Sequence, residues 1–157
     1  MKKKIKILHT ADWHLGLVSW KTRREVDRGE EQREALEELI GVAEREKVDL
    51  VVHAGDLFHS SHHPDKKTIK LAVDTILRLV DIAPFVWVMG NHDWYAIEGL
   101  KKIFPPQAYI IRDYTPREIE GIPVTVFPLP YVSLARLLGD YRGDEIQDRA
   151  RELLRQE

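Results

Sequence analysis

The chain contains no cysteine, which excludes disulfide staples and any metal site built on thiolates. Long apolar runs are also missing, and no stretch approaches the ~20 residues needed to span a bilayer. The opening Met1-Lys2-Lys3-Lys4 has the charge of a secretory leader, but the apolar segment behind it is short and broken by Lys6 and His9. It reads as the solvated start of a first strand, so the expected location is cytoplasmic, with no membrane partner. Charge of one sign is scarce as well. With 24 basic and 26 acidic residues the formal net charge is −2, which argues against bulk attachment to nucleic acid but leaves room for a local basic patch. No histidine occurs after His92. Repeats, low-complexity segments and linkers are lacking too. The 157 residues, 43% hydrophobic and 32% charged, therefore read as one globular domain, residues 1–157.

The stretch around which the rest is organised is Gly90-Asn91-His92-Asp93. It leaves the run Phe85, Val86, Trp87, Val88, Met89, which lacks polar alternation and is expected to be a strand buried on both faces. An amide, an imidazole and a carboxylate in succession are costly to place beside a core. A polar turn would account for them by satisfying local backbone groups. Two further stretches of the same build weigh against a mere turn. Ile5-Lys6-Ile7-Leu8-His9-Thr10-Ala11 runs into Asp12-Trp13-His14, and Val48-Asp49-Leu50-Val51-Val52-His53-Ala54 runs into Gly55-Asp56. Three strands thus deliver oxygen and nitrogen donors just past their last apolar residues, where open α/β sheets form their sites. Asp12, His14, Asp56 and Asn91, with His92, make a donor set suited to manganese, iron or zinc.

In chain order, the spacing predicts strand, loop (residues 12–27), helix and strand. The loop holds Trp20, Lys21, Arg23 and Arg24, rings and cations able to grip a nucleic-acid backbone, though a solvated charged loop has the same composition. Asp27 is the expected N-cap of a helix reaching residue 47, with Ala35, Leu36, Leu39, Ile40 and Ala43 as its buried stripe. The right-handed crossover rule makes the two strands parallel. Of the histidines that follow, His53 is expected to be a core residue bonded to a neighbour, and His62 and His63 to be exposed. His59, three residues past Asp56, is positioned to face a substrate phosphate. A second helix over residues 65–81 carries Ile69, Ala72, Val73, Ile76, Leu77 and Val80 on one face, with Leu71 and Leu79 off it. Such two-sided apolarity suggests packing on the sheet and on a partner chain. A short helix in residues 94–104, a strand at 108–112, a hairpin around Gly121 and two helices (133–141 and 144–156) complete the reading.

The three motifs resemble the signatures of the calcineurin-like metallophosphoesterases. The fuller wording, including Leu8-His9-Thr10-Ala11-Asp12-Trp13-His14-Leu15-Gly16, His53-Ala54-Gly55-Asp56-Leu57-Phe58-His59 and Pro128-Leu129-Pro130-Tyr131, is similar to the SbcD/Mre-type DNA-repair nucleases. The resemblance implies an α/β fold, an αββα sandwich of two sheets between helices. It implies a phosphodiesterase using two divalent metal ions, usually Mn2+, acting on DNA as an exonuclease and endonuclease in double-strand-break repair. An SMC-like ATPase subunit and a homodimer through the region of residues 65–81 are the implied partners. By residue match Asp12 and His14 hold one metal, Asp56 bridges both, Asn91 holds the second, His92 is the catalytic histidine and His59 handles substrate.

One departure stands beside the match. Family members supply further histidine ligands from later Gly-His and Gly-x-His motifs, and none follows His92 here. The second metal position is left with Asp56 and Asn91, and the second sheet is expected to be only begun, as in a front portion of a longer protein. A small-substrate metallophosphatase on the same scaffold, or an inactive dimerisation or docking module, are the competing readings.

Overall fold

The computed structural model describes residues 4–21, 24–60, 64–93, 97–100 and 102–131, with side chains described for all of these except 19–21, 24–27, 97 and 98. Strand β1 (Ile7–Thr10) is followed by β2 (Val18–Lys21), β3 (Arg24–Asp27) and helix α1 (Gly29–Glu46). Then come β4 (Leu50–Ala54), α2 (Lys66–Ile82), β5 (Phe85–Val88), α3 (Ile97–Leu100), β6 (Ala108–Ile111), β7 (Arg117–Glu118) and β8 (Thr125–Val126). The central sheet has the order β1-β4-β5-β6, and every neighbouring pair in it is parallel. Both crossovers expected from the sequence are therefore present, and they bring the ends of β1, β4 and β5 side by side.

The segment expected to be an open loop is not one. Val18 pairs with Asp27 and Lys21 with Arg24 in an antiparallel hairpin, and Val18, Trp20 and Val26 are the β-branched and aromatic types that favour a strand. Asp27, the expected N-cap of α1, is consumed by that pairing. Arg28 takes the cap position without a side-chain cap bond, and Glu30 and Glu31 supply negative charge in the first turn, where it complements the helix dipole. Helix α2 starts as expected, since Asp65 accepts a 2.7 Å hydrogen bond from Thr68 N, the side-chain cap that satisfies an orphan donor.

Helices α1 and α2 cover one face of the sheet. Leu36, Ile40 and Ala43 from α1 meet Ala72, Ile76 and Leu79 from α2 over Phe85 and Trp87 of β5. Ala35, counted in the expected stripe, is exposed. Leu79, expected off the buried face of α2, is fully buried, and Leu71 packs against the same core. The helix sits between the sheet and α1 and buries more than one stripe, so its two-sided apolarity is used within the chain. The outward side chains of α2 are Lys66, Lys67, Lys70, Asp74, Arg78 and Asp81.

The other face of the sheet is covered by less. Leu50, Val86, Ile111 and Ile119 form a small core, flanked by partly buried Ile122, Val124 and Val126 around the β7–β8 hairpin. Ile7 on β1 is 51% exposed, and Phe127 and Leu129 beyond β8 are 74% and 84% exposed. The second layer is begun and not finished among the described residues, as the sequence led one to expect. The expected helices over 133–141 and 144–156 lie outside the described residues, as do His62 and His63. Within residues 94–104 only Ile97–Leu100 is described as helix. No helix of the described residues is long and apolar enough to cross a membrane.

Candidate metal centre

Past their last paired residues, β1 and β4 continue side by side as loops. Asp12 N donates to Gly55 O (3.1 Å), His14 N to Asp56 O (3.0 Å) and Leu15 N to Leu57 O (2.9 Å). Holding these contacts forces Asp12, His14 and Asp56 into left-handed backbone, with φ of 54°, 43° and 53°. Each such residue without glycine's freedom costs about 1–3 kcal/mol, a strain found most often at functional sites. Leu15, Leu57 and Phe58, immediately after the polar residues, are all buried and anchor the loops in the helix-side core. The strained backbone is thereby fixed by packing.

The third loop approaches Asp56 more closely still. A Cβ on Gly90 would lie 2.2 Å from Asp56 Oδ1 and 2.4 Å from Asp56 N, and one on Gly55 would lie 3.0 Å from Gly90 Cα. Only glycine at both places lets the ends of β4 and β5 touch, which is the physical content of the Gly-Asp and Gly-Asn pairs. His92 N then donates to Asp56 Oδ1 at 3.1 Å.

These constraints gather the donors. One ligand atom from each of Asp12, His14 and Asp56 lies within 4.8 Å of the other two. His14 Nε2 stands 3.8 Å from Asp12 Oδ1 and 3.8 Å from Asp56 Oδ2, longer than direct hydrogen bonds and suited to groups that share a cation. Asn91 lies against the same carboxylate. One terminal atom of its amide lies 3.0 Å from both Asp56 oxygens, and the other lies 3.3 Å from His92 Nε2. With nitrogen toward Asp56 the amide donates to the carboxylate. With oxygen there it faces only acceptors, the arrangement of two ligands around one cation, and its nitrogen then meets His92 Nε2. His92 Nδ1 is 2.6 Å from the backbone oxygen of His59, which can only accept, so Nδ1 carries a proton and donates to it. Either orientation leaves the Asn91 amide against Asp56. Asp12, His14 and Asp56, with their ligand atoms gathered in this way, are a donor set that fits a divalent metal.

Three imidazoles flank the carboxylates. The His14 ring centroid lies 5.6 Å from that of His59 and 5.4 Å from that of His92, and the His59 and His92 rings stack at 6.1 Å. On the opposite side a cleft of about 230 Å³ is lined by Asp12, Asp56, Gly90, Asn91, Leu129 and Tyr131. The structure thus brings together Asp12, His14, Asp56, Asn91, His92 and His59. Trp20, Lys21 and Arg24 lie on the β2–β3 hairpin with side chains outside the description, and Arg23 is outside the described residues.

Two residues behave differently from expectation. His53 is a fully buried core residue, as expected, but neither ring nitrogen has a hydrogen-bond partner. Its neighbours are rings instead, Trp13 at 4.5 Å and Trp87 at 6.4 Å. Burial first, and the charge of His9 second, lower its pKa to about 3, while Gly55's backbone, outside normal hydrogen-bond geometry, opposes the shift only in part. Asp93 was given no role by the sequence. Its buried carboxylate accepts from Leu57 N (2.9 Å), Gly90 N (2.8 Å) and Trp87 Nε1 (3.2 Å), tying the loop of Asp56 to the loop of Asn91. Burial raises its pKa, the three donors oppose that rise, and the nearby Asp56 charge adds to it.

Comparison with known proteins decides the family. Residues 5–153 match the family described as calcineurin-like phosphoesterase. The chain belongs to that family. It is also similar to the SbcD component of the nuclease SbcCD from Staphylococcus epidermidis, with 32% identity over 156 aligned positions that cover 91% of this chain. The same alignment covers 38% of that relative, so the chain spans well under half of the relative's length. The parallel sheet with two helices on one face is a partial calcineurin-like phosphoesterase fold, the family uses divalent metals, and Asp12, His14 and Asp56 cluster in it as a candidate metal site.

Proposed function

We propose that this chain is the metal-binding front portion of a DNA nuclease that hydrolyses phosphodiester bonds with two divalent ions, Mn2+ by preference. The observation that carries the reading is the convergence of Asp12, His14, Asp56 and Asn91 at the ends of three adjacent parallel strands. Asp12 and His14 would hold one ion, Asn91 the other, and Asp56, with two anionic oxygens, would bridge them. When bound, such a pair supplies polarisation of the phosphoryl group and a water acidified toward neutral pH. His92 is the group placed to protonate or stabilise the departing oxygen at Nε2, with its ring held by the His59 carbonyl. The His59 ring, exposed beside His14 and His92, would meet a neighbouring phosphate. Trp20, Lys21, Arg23 and Arg24 are proposed to contact the DNA strand. A cytoplasmic setting, a role in strand-break repair with an SMC-like ATPase, and a homodimer are part of the same proposal. They rest on the likeness to the bacterial nuclease component and on the motifs.

The test is Mn2+ titration by calorimetry together with cleavage of linear duplex DNA, for the wild type and His92→Asn. Metal uptake by both with cleavage by the wild type only is the expected result. Equal cleavage by His92→Asn removes its role, and absence of metal uptake by the wild type removes the centre. A second reading follows from the donors among the described residues: Asp12, His14 and Asp56 cluster around one position, while the motifs offer Asp56 and Asn91 to the other. A chain that binds one ion, cleaves neither DNA nor bis-p-nitrophenyl phosphate, and captures an SMC-like ATPase would be a docking module. Cleavage of the small ester alone would mark a metallophosphatase. Sedimentation of the chain tests the dimer, and a monomer at micromolar concentration removes it.

A further inference from the structure

The loop between β1 and β2 carries two of the proposed ligands and is tied to β4 along one side only by the bonds already described. Its other side faces α1, where the Trp13 carbonyl and the Gly16 N–H need partners and the His14 carbonyl already accepts from Leu17 N at 3.1 Å. One side chain reaches all three groups. Gln32, in the first turns of α1, donates from Nε2 to His14 O at 2.8 Å and to Trp13 O at 3.4 Å, while its Oε1 accepts from Gly16 N at 3.1 Å. Both ends of the amide are used in one orientation, and a carboxylate or an aliphatic chain of the same length could not do both.

We propose that Gln32 is a positioning residue for the metal centre. It holds the Asp12–Trp13–His14 backbone in the left-handed shape that points both ligand side chains at Asp56. Asp12 and His14, at φ 54° and 43°, occupy conformations that persist only when their surroundings over-determine them. The β4 side fixes their N–H groups, and Gln32 fixes the carbonyls of the same turn. Loss of the amide would leave Gly16 N and the Trp13 carbonyl unpaired and loosen the turn on its α1 side, with the backbone bonds of Leu15 N to Leu57 O and Leu17 N to His14 O still in place. This inference rests on the metal-centre reading above, and its test is arranged so that the two can fail separately.

Gln32→Glu and Gln32→Ala are compared with the wild type and with Arg33→Ala, whose ion pair is with Glu30 on the helix surface. Glutamate keeps the stem and the acceptor for Gly16 N but turns oxygen toward the Trp13 and His14 carbonyls. Three measurements are made: Mn2+ affinity by calorimetry, the ligand-field spectrum of the Co2+-loaded chain, and amide hydrogen exchange at Gly16 in the metal-free chain. Both Gln32 variants are expected to bind Mn2+ about 10–100-fold more weakly, the usual effect of losing a partner behind the ligands. A changed Co2+ spectrum and faster exchange at Gly16 should accompany the loss, with exchange in the centre of α1 and the thermal midpoint of Arg33→Ala unchanged. Should Gln32→Ala not fold, Gln32→Glu alone carries the comparison. Unchanged affinity, or weakened affinity with wild-type Co2+ spectrum and Gly16 exchange, overturns the proposal. If the wild type itself takes up no Mn2+, the metal centre is wrong, and Gly16 exchange still reports whether Gln32 sets the loop.

Discussion

The two faces of the central sheet are built to different standards. On the helix side Phe85 and Trp87 are covered by two helices, and Leu15, Leu57, Phe58 and Met89 extend that core up to the loops that carry the ligands. On the hairpin side Val86 and Ile111 meet, among the described residues, the small β7–β8 ribbon, while Ile7, Phe127 and Leu129 are exposed. The site lies on the boundary between these regions, and it is finished in the same unequal way. Asp12, His14 and Asp56, braced from the helix side, close on one position, whereas the cleft that Asp12, Asp56 and Asn91 border is walled on its far side by Leu129 and Tyr131. The difference teaches that ligand geometry is set by one core, with the hairpin side contributing a wall.

The sharpest way to break this comparison is to remove Asp56, the residue proposed to bridge both positions. Asp56→Asn should reduce Mn2+ affinity by more than the ~10–100-fold typical of partners behind the ligands, read by calorimetry. Retained affinity would show that the ligands do not depend on the bridging carboxylate. Next in size are paired truncations of the two cores. Phe85→Ala should cost about 3–5 kcal/mol in urea unfolding, and Ile119→Ala about 2 kcal/mol, since a half-covered site can collapse around the gap. Equal losses would mean that the hairpin face is packed as well as the helix face. Asp93→Asn comes third. The single oxygen left cannot serve Leu57 N, Gly90 N and Trp87 Nε1 with the same geometry, and an unsatisfied buried donor costs about 1–3 kcal/mol. A smaller change in the urea midpoint would demote the clamp between the two loops.

Much of this was legible in the sequence because strand ends announce themselves. Apolar runs stopping at Asp12, Asp56 and Asn91 mark where the strands end, and two helix-length crossovers make β1, β4 and β5 parallel. The hairpin of β2 and β3 was hidden because Ser19, Lys21, Arg24 and Glu25 make its alternation look like a charged loop. The buried side of α2 was misjudged because Thr68 and Thr75 are polar by type yet buried in place. Asp93 stood in the motif without its long-range role being visible, and Gln32 stood outside every motif. Their hydrogen bonds reach across 36 and 18 residues of sequence to backbone groups, and a backbone group has no letter of its own. Asking which side chain satisfies the carbonyls of a left-handed turn is the signal that would have raised Gln32.

Acidification probes the helix-side core through His53. Its pKa is about 3 in the folded chain against 6.5 ordinarily. The stability it confers is complete above pH 6.5 and falls as pH drops toward 3, because the unfolded chain takes the proton and the folded chain refuses it. The slope is at most about 1.4 kcal/mol per pH unit. Asp93, with a raised pKa, acts in the opposite sense from pH 3.8 upward. Urea midpoints of the wild type and His53→Leu between pH 7 and 4 should therefore diverge as pH falls, the wild type losing more. Parallel curves would mean that His53 is protonated in the fold.

The smallest effect is expected on the unfinished side, and it discriminates for that reason. Leu129 is apolar and borders the cleft, yet 84% of it is exposed, so little water-free contact is lost when it becomes polar. Leu129→Ser should change the urea midpoint by no more than about 0.5 kcal/mol, as for surface positions in general, and leave Mn2+ affinity at the Asp12–His14–Asp56 position unchanged. A loss of about 2 kcal/mol would require a buried leucine. The hairpin side would then have a covering layer, and the contrast between the two faces would vanish.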